Sequence, residues 1–370
     1  MLVLESIVLA LAWIFIAGTL LPFIREPHWW IRVFDFPRVQ ITVVMVCLVL
    51  VLGGLELWGG SLSWWAWASV AALAAAVIYQ VVRIFPYTPL ARVQTHAVTG
   101  QTTGPRLRLL ISNVFMNNRE YARWLAAVRE VDPDVVVAVE TDHAWMAAID
   151  VLEAEGYGHT VKVPQDDTYG ILVYSRLPLA AAEVRRVVVE EVPSVWVEIE
   201  LEGGRRVQAV FLHPRPPRAD LRQSSAQRDA ELVLVARELE AMTGPRLVAG
   251  DLNDVAWSTT TSLFQEISGL LDPRVGRGTF ATFHADHPLA RFPLDHVFHS
   301  EHFKLVELRR LGKVGSDHFP ILIELTLTPD AAVVQEAPRA DTDTHAVGEE
   351  VLDDALEHLP KDPEVAPEDR

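Results

Sequence analysis

"RLVAGDLND", residues 246–254, decides how the rest of the chain is read. Leu247 to Ala249 read as a buried strand. The run then passes Gly250 and ends in Asp251, Asn253 and Asp254, groups for which a core strand has no packing use. A core strand that stops at a carboxylate and an amide offers oxygen ligands at its far end. The same ending recurs. "RLRLLISNV" (106–114) reaches Asn113, "VVVAVE" (135–140) stops at Glu140, and "RRVQAVFLH" (205–213) stops at His213. "PLDHVF" (293–298) carries Asp295, and "GSDHFP" (315–320) carries Asp317 and His318 just before a last strand. If these strand ends point the same way, their polar groups converge on one rim, held by a rigid scaffold.

The residue types suggest a chemistry. Glu140, Asp251 and Asp317 supply hard anionic oxygens, and Asn113 and Asn253 supply amides. Hard oxygens suit Mg²⁺ or Mn²⁺. His213 and His318 are suited to moving protons or stabilising a phosphate oxygen. Phosphoester hydrolysis needs an activated water, neutralised charge on the phosphate and a stabilised leaving oxygen. Taken singly, each residue has an ordinary reading. Glu140 reads as a surface acid, Asn113 as a cap for a helix near Asn117, His213 as a turn residue before Pro214, and Asp295 as a partner of His296. The ordered set is what points to a centre. Arg215, Arg218, Arg222 and Arg228 follow His213 and are candidates to clamp phosphate, the alternative being a solvated helix start. Arg291 and the Phe280, Phe283 and His284 loop are further candidates for the rim.

Outward from these motifs, the 370-residue chain divides by composition. Residues 6–24, 39–55 and 57–82 carry no charge. A bilayer core needs roughly 20 apolar residues of helix, so residues 1–86 predict an anchor of three membrane helices, at about 6–24, 39–55 and 60–82, the second short. Trp29, Trp30, Trp64, Trp65 and Trp67 fall near span ends, as interfacial aromatics do. A cleaved leader is the alternative, but no basic n-region precedes the first run and two more spans follow. Arg25, Arg32, Arg38, Arg83 and Arg92 share one side, so the positive-inside rule puts the large C-terminal region in the cytoplasm. Residues 87–105 read as a linker and 106–328 as one α/β domain. Residues 329–370 read as an acidic, disordered tail, with a transient helix at 349–359. The single Cys47 excludes a disulfide framework within one chain.

Within the domain, strands are expected at 106–114, 135–140, 169–175, 185–192, 194–201, 205–213, 246–251, 294–300, 304–311 and 319–327, and helices near 121–131, 143–155 and 219–242. Strands in runs with a few helices between them predict two packed sheets with helices outside. The formal charge of −17 lies largely in the tail, and the domain stays moderately acidic. Such a domain has no general attraction to nucleic acid, although a bound cation supplies local positive charge.

"ISNV", "VAVE", "FLH", "AGDLND", "PLDHVF" and "GSDHFPI", in this order over about 106–327, resemble the endonuclease/exonuclease/phosphatase superfamily, the deoxyribonuclease-I-like hydrolases. The resemblance implies a four-layered α/β sandwich with the active site at one edge and a divalent-metal phosphoesterase activity. It implies that Asn113 and Glu140 form the first metal-site pair, with Asp317 a further metal contact. His213 would act on the phosphate, and Asp251 and Asn253 would orient water and phosphate. Asp295 would orient His318, the general base or phosphate contact. Where many members carry an acid two residues after the first Asn, this chain has Phe115. The three leading spans resemble a membrane-anchored bacterial subgroup that includes glycopeptide-resistance-associated phosphatases. That likeness implies an extracytoplasmic domain, against the charge count. The expected substrate is a lipid-linked or small phosphoester, since the domain is tethered at a bilayer and lacks a Lys/Arg stripe with aromatics. The alternatives are a membrane-tethered nuclease and a non-catalytic binding module on the same fold.

Overall fold

Valine- and leucine-rich strands alternate two sets of side chains, and that alternation builds the layers. The computed structural model describes residues 2–24, 26–58, 63–100, 104–217 and 224–358. Eleven strands are present among them: β1 (Arg106–Asn113), β2 (Val135–Val139), β3 (His159–Val163), β4 (Ile171–Ser175), β5 (Leu179–Arg185), β6 (Ser194–Leu201), β7 (Arg205–Leu212), β8 (Arg246–Asp251), β9 (Asp295–His299), β10 (Phe303–Arg310) and β11 (Ile321–Leu327). They form two sheets, ordered β10-β11-β1-β2-β4-β3 and β5-β6-β7-β8-β9. The longer helices are α1 (Leu2–Leu20), α2 (Arg38–Leu57), α3 (Trp64–Ile84), α4 (Tyr121–Val131), α5 (His143–Ile149), α6 (Ala226–Ala241), α7 (Thr259–Ser268) and α8 (Thr342–His358).

Odd-numbered residues of β1, β2, β7 and β8, such as Ile111, Val137, Phe211 and Ala249, meet between the sheets. Even-numbered residues face outward. Leu110, Val136 and Ala138 pack against Trp124 of α4 and Trp145 of α5. Val210, Leu212 and Val248 pack against Leu232 and Leu239 of α6 and Phe264 of α7. The result is helix, sheet, sheet, helix: the expected four-layered α/β sandwich with two mixed sheets. Each sheet has one parallel pair at its centre, β1 with β2 and β7 with β8. The antiparallel partners β11 and β9 begin where β1 and β8 end. That topology collects the predicted polar strand ends at one edge.

Three helices ahead of this domain are long and apolar enough to cross a membrane: Val3–Phe23, Arg38–Leu57 and Trp64–Tyr87. The second is not short. It begins at Arg38, a charge the sequence reading treated as a boundary. The Arg38 guanidinium is fully buried, bonded to Asp35 Oδ1 at 2.5 Å and Gln80 Oε1 at 2.8 Å, and so enters the bundle neutralised. The expected start of the third span at 60–62 lies outside the described residues.

Four other expectations need correction. The strand expected at 185–192 sits earlier, as β5, because Leu179–Arg185 pairs with β6; Val189 and Val192 instead pack in a loop with Tyr169. The helix expected at 143–155 breaks into α5 and a turn at Val151–Ala154. The linker is strapped to the domain: Val98 N–H donates to Leu305 O and Thr95 Oγ1 meets His299 Nε2 at 3.0 Å. The tail is not disordered over 342–358. Its helix α8 lays Val347, Val351 and Leu352 on the α6–α7 layer, and Arg237 pairs with Glu349 at 2.9 Å. Acidic composition hid this amphipathic stripe. Residues 359–370 of that tail lie outside the described residues.

Candidate active site

Strand parity places the site. Asn113, His213, Asp251 and Asp295 continue the odd-numbered, inward-facing sets of β1, β7, β8 and β9, one step beyond the apolar core. Asp251 and Asp295 are direct partners across the β8–β9 ladder. Glu140 has the wrong parity, and its left-handed backbone (φ 60°) turns it back to the rim. Phe115 (φ 57°) and Asn253 (φ 51°) are held in the same sparsely populated region. For residues with a Cβ this strain is of order 1–3 kcal/mol each, and it concentrates at functional sites. Gly250 is required where β7 and β8 draw close. A Cβ there would lie 1.9 Å from the Leu212 carbonyl oxygen.

Asp251 is the focus of the cluster. Asn113 Nδ2 donates to Glu140 Oε1 at 2.8 Å and to Asp251 Oδ2 at 2.9 Å, joining the two sheets. Both neighbours are carboxylates, so the amide nitrogen must face them. Asn113 Oδ1 accepts from Phe115 N at 2.9 Å. In this arrangement Asn113 is the donor that holds the two carboxylates, Glu140 of the expected metal pair and its neighbour Asp251. His318 Nδ1 lies 2.8 Å from Asp295 Oδ2, and its Nε2 faces Asp251 Oδ2 at 3.6 Å. His213 Nε2 lies 3.9 Å from Asp251 Oδ2 and 4.0 Å from Glu140 Oε1. Ser316, which sequence reasoning passed over inside "GSDH", ties the set together. Its Oγ donates to Asn113 O at 2.8 Å and accepts from His318 N at 2.9 Å.

The electrostatics follow from burial. Burial pushes the Asp251 and Glu140 carboxyls up, partly relieved by His318 in both cases and by the Asn113 amide. Burial also pushes His213 down, toward neutral imidazole. For His318 burial is outweighed by the carboxylates of Asp295 and Asp251, which raise it to about 10. Asp317 bears on Glu140 and His318 through its charge, and among the described residues its carboxylate accepts a side-chain hydrogen bond from Ser316 Oγ alone, at 3.4 Å.

These residues fit a divalent cation. Asp251, Asp295 and His318 can bring ligand atoms within 4.8 Å of one another. Asp295 Oδ2 and His318 Nδ1 already satisfy each other, however, so we read them as a histidine–carboxylate dyad. Glu140 and Asp251 are the carboxylates left over. Among the described residues neither forms an ion pair with a Lys or Arg. Two carboxylates that share one imidazolium, His318, as their nearest cation remain short of positive charge, which a divalent ion would supply.

The remaining candidates are spread more widely. Asn253 is pinned beside the rim: its Nδ2 donates to Pro214 O, next to His213, at 3.0 Å, and its backbone N–H donates to Asp251 Oδ1 at 2.9 Å. Arg215 pairs with Glu191 at 3.7 Å and lies 5.4 Å from the centroid of the Tyr169 ring, which lies 5.9 Å from the His213 ring. Tyr169 is a rim residue with no motif in the sequence to mark it. Arg228 is not a phosphate clamp. It is buried on Asp229, at 2.7 Å, and on Asn253 O, at 2.7 Å. Arg218 and Arg222 lie outside the described residues. Arg291 stacks 5.0 Å from the Phe319 ring centroid. Phe283 packs its ring 4.9 Å from that of His318. It also pairs through its backbone with Phe292, whose ring meets Phe36 edge-on at 5.8 Å just ahead of α2.

Known proteins share this architecture. A UPF0294 protein of Vibrio cholerae serotype O1 is 23% identical over 231 residues, covering 60% of this chain and 78% of that protein. The human Nocturnin catalytic domain, solved with a bound sulfate anion, superposes with a TM-score of 0.50 at 17% identity, over 60% of this chain and 95% of that one. D. rerio TDP2 complexed with a single strand DNA product does so with a TM-score of 0.50 at 17% identity, over 60% and 99%. At such identities the likeness is one of fold. The model of the Endonuclease/Exonuclease/phosphatase family matches residues 110–318, more than half of the chain and all of the rim built around Asp251. On that match, the chain belongs to the Endonuclease/Exonuclease/phosphatase family.

Proposed function

We propose that this chain is a membrane-anchored, divalent-metal-dependent phosphoesterase acting on a lipid-linked or small phosphoester. The observation that carries the reading is the Asp251 centre: two carboxylates without a Lys or Arg partner among the described residues, Asp251 buried and Glu140 half-buried, faced by two imidazoles with opposite pKa shifts. Glu140 and Asp251 would hold Mg²⁺ or Mn²⁺. When bound, such an ion supplies an activated water and neutralises charge on the phosphate. The chain's own groups do the rest. Asp295 fixes the His318 ring, which keeps a proton on Nε2 aimed at the rim, where it can donate to a phosphate oxygen. His213, neutral at pH 7, can accept a proton. Asn113 keeps the two carboxylates in register.

The link from His318 through Phe283 and Phe292 to Phe36 favours a substrate at the bilayer surface. The acidic domain offers little to the backbone of a long nucleic acid. The test is a hydrolysis screen of the full-length protein in detergent. Isoprenyl diphosphates, phospholipids, small phosphomonoesters and plasmid DNA would each be assayed with Mg²⁺, with Mn²⁺ and with chelator. Metal-dependent turnover of a lipid or small ester is expected. Plasmid nicking without any turnover of those esters would replace this reading with a nuclease.

A further inference from the structure

A cavity of about 690 Å³ opens where the membrane helices meet the domain. One wall is Val39 and Gln40, in the first turn of α2. The other carries Arg277, Arg291 and Arg310, with Phe280 as an apolar floor. None of its lining residues belongs to the Asp251 cluster. Among the described residues, none of these three arginines forms an ion pair with a carboxylate. Their N–H groups reach only backbone: Arg277 donates to Thr95 O at 2.7 Å, Arg291 to Ala285 O at 3.2 Å and Arg310 to Ala281 O at 2.7 Å. A fourth lining arginine, Arg309, is neutralised by Glu307 at 3.2 Å. Two buried polar atoms on residues lining this space have no partner: the donor Nε of Arg291 and the acceptor Oε1 of Gln40.

Guanidinium groups gathered around one space, here Arg291 and Arg310 above all, repel one another unless an anion sits among them. An acceptor left empty on the opposite wall asks for a donor, such as a hydroxyl. The start of an apolar span places the mouth at headgroup depth. We propose that this cavity binds the headgroup of an anionic phospholipid, its phosphate against Arg277, Arg291 and Arg310 and a headgroup hydroxyl against Gln40. The proposal rests on the membrane reading of α1–α3 but not on the catalytic reading. It gives the domain a fixed seat on the bilayer.

The test uses the full-length protein in neutral detergent, titrated with phosphatidylglycerol, with phosphatidylcholine or with inorganic phosphate, and read by native mass spectrometry. Wild type is expected to retain phosphatidylglycerol in preference to phosphatidylcholine. Arg291→Gln is expected to weaken that binding by about tenfold or more, and Arg291→Lys, which keeps the charge, to restore part of it. Gln40→Leu, on the opposite wall, is expected to reduce the preference without touching an arginine. It serves as the reading should Arg291→Gln fail to fold. Equal retention of the two lipids by wild type overturns the proposal, as does unchanged retention in both folded variants. Inorganic phosphate binding as tightly as the lipid overturns the lipid source. Extraction of the protein by carbonate without detergent would instead reject the membrane spans themselves.

Discussion

Asp251 and Asp254 stand three residues apart and are both buried, yet they keep opposite company. Asp254 sits in a network built around one guanidinium. It accepts from Ser258 Oγ at 2.5 Å and faces Arg228 at 3.6 Å, and Arg228 is bonded to Asp229 and to Asn253 O. Trp257 Nε1 extends the contact to Asp35 O at 2.8 Å, beside the bundle of long apolar helices. Asp251 is held by the Asn113 amide, the Asn253 backbone N–H and two imidazoles, and among the described residues no guanidinium or ammonium reaches it. A buried carboxylate matched to a guanidinium is held for structure, because removing one partner strands the other. A buried carboxylate without one is held ready for a cation that arrives from outside.

Four measurements would break or sharpen that contrast. The largest effect is expected at the unmatched cluster. His318→Ala or Asp251→Asn should lower metal-dependent hydrolysis by about 10²–10⁴-fold with the melting curve preserved. A variant that keeps its rate would remove Asp251 from the chemistry. Next is Asp295→Asn, which leaves His318 in place but unoriented. A loss of about 10–100-fold is expected in steady-state assays, as for other groups that orient a site ligand from behind it. The matched cluster should answer in stability instead. Arg228→Met strands Asp229 and Asp254 and should destabilise the fold by about 3–5 kcal/mol in denaturant titrations.

The smallest effect concerns a third case, Glu231 on α6, whose buried Oε1 has no hydrogen-bond partner and whose pKa burial pushes up to about 8. Its folded value lies above the ordinary 4.5, so its contribution is fully present below pH 4.5 and lost as pH rises through about 8. Glu231→Gln should therefore raise the melting temperature by a few degrees near pH 8, with the gap closing as pH falls toward 4.5. A gap that does not change with pH would show that this carboxyl is not buried in neutral form.

The contrast also explains what the sequence could disclose. Strand ends were legible because period-2 alternation carries polar residues past an apolar run onto one face, as at Asn113, His213 and Asp251. The layered fold followed from runs such as "VVVAV", which no surface strand would carry. Partners across the fold were not legible. Arg228 followed His213 closely enough to suggest phosphate, and only the tertiary structure matches it to Asp229 and Asp254. Arg38 read as the edge of a span because its neutralising Asp35 and Gln80 come from other turns of the fold. The valines at 187–189 had better strand propensity than the alanines of β5, but pairing with β6 overrode propensity. Helix α7 was missed although Ser258 is its N-cap, accepting from Thr261 N at 2.9 Å.

Asn113 hydrogen-bonds to Glu140 on its own sheet and to Asp251 on the other. Half of the working centre therefore rides on each slab of the sandwich, and the halves are joined there by the Asn113 amide and by a few backbone bonds between loops, such as Phe319 N–H to Thr282 O at 3.0 Å. A slip of even an ångström between them would part the halves while leaving every strand ladder intact. Heating should silence such an enzyme some degrees before its far-ultraviolet spectrum changes, so that activity serves as the finest gauge of how firmly the two slabs are clamped.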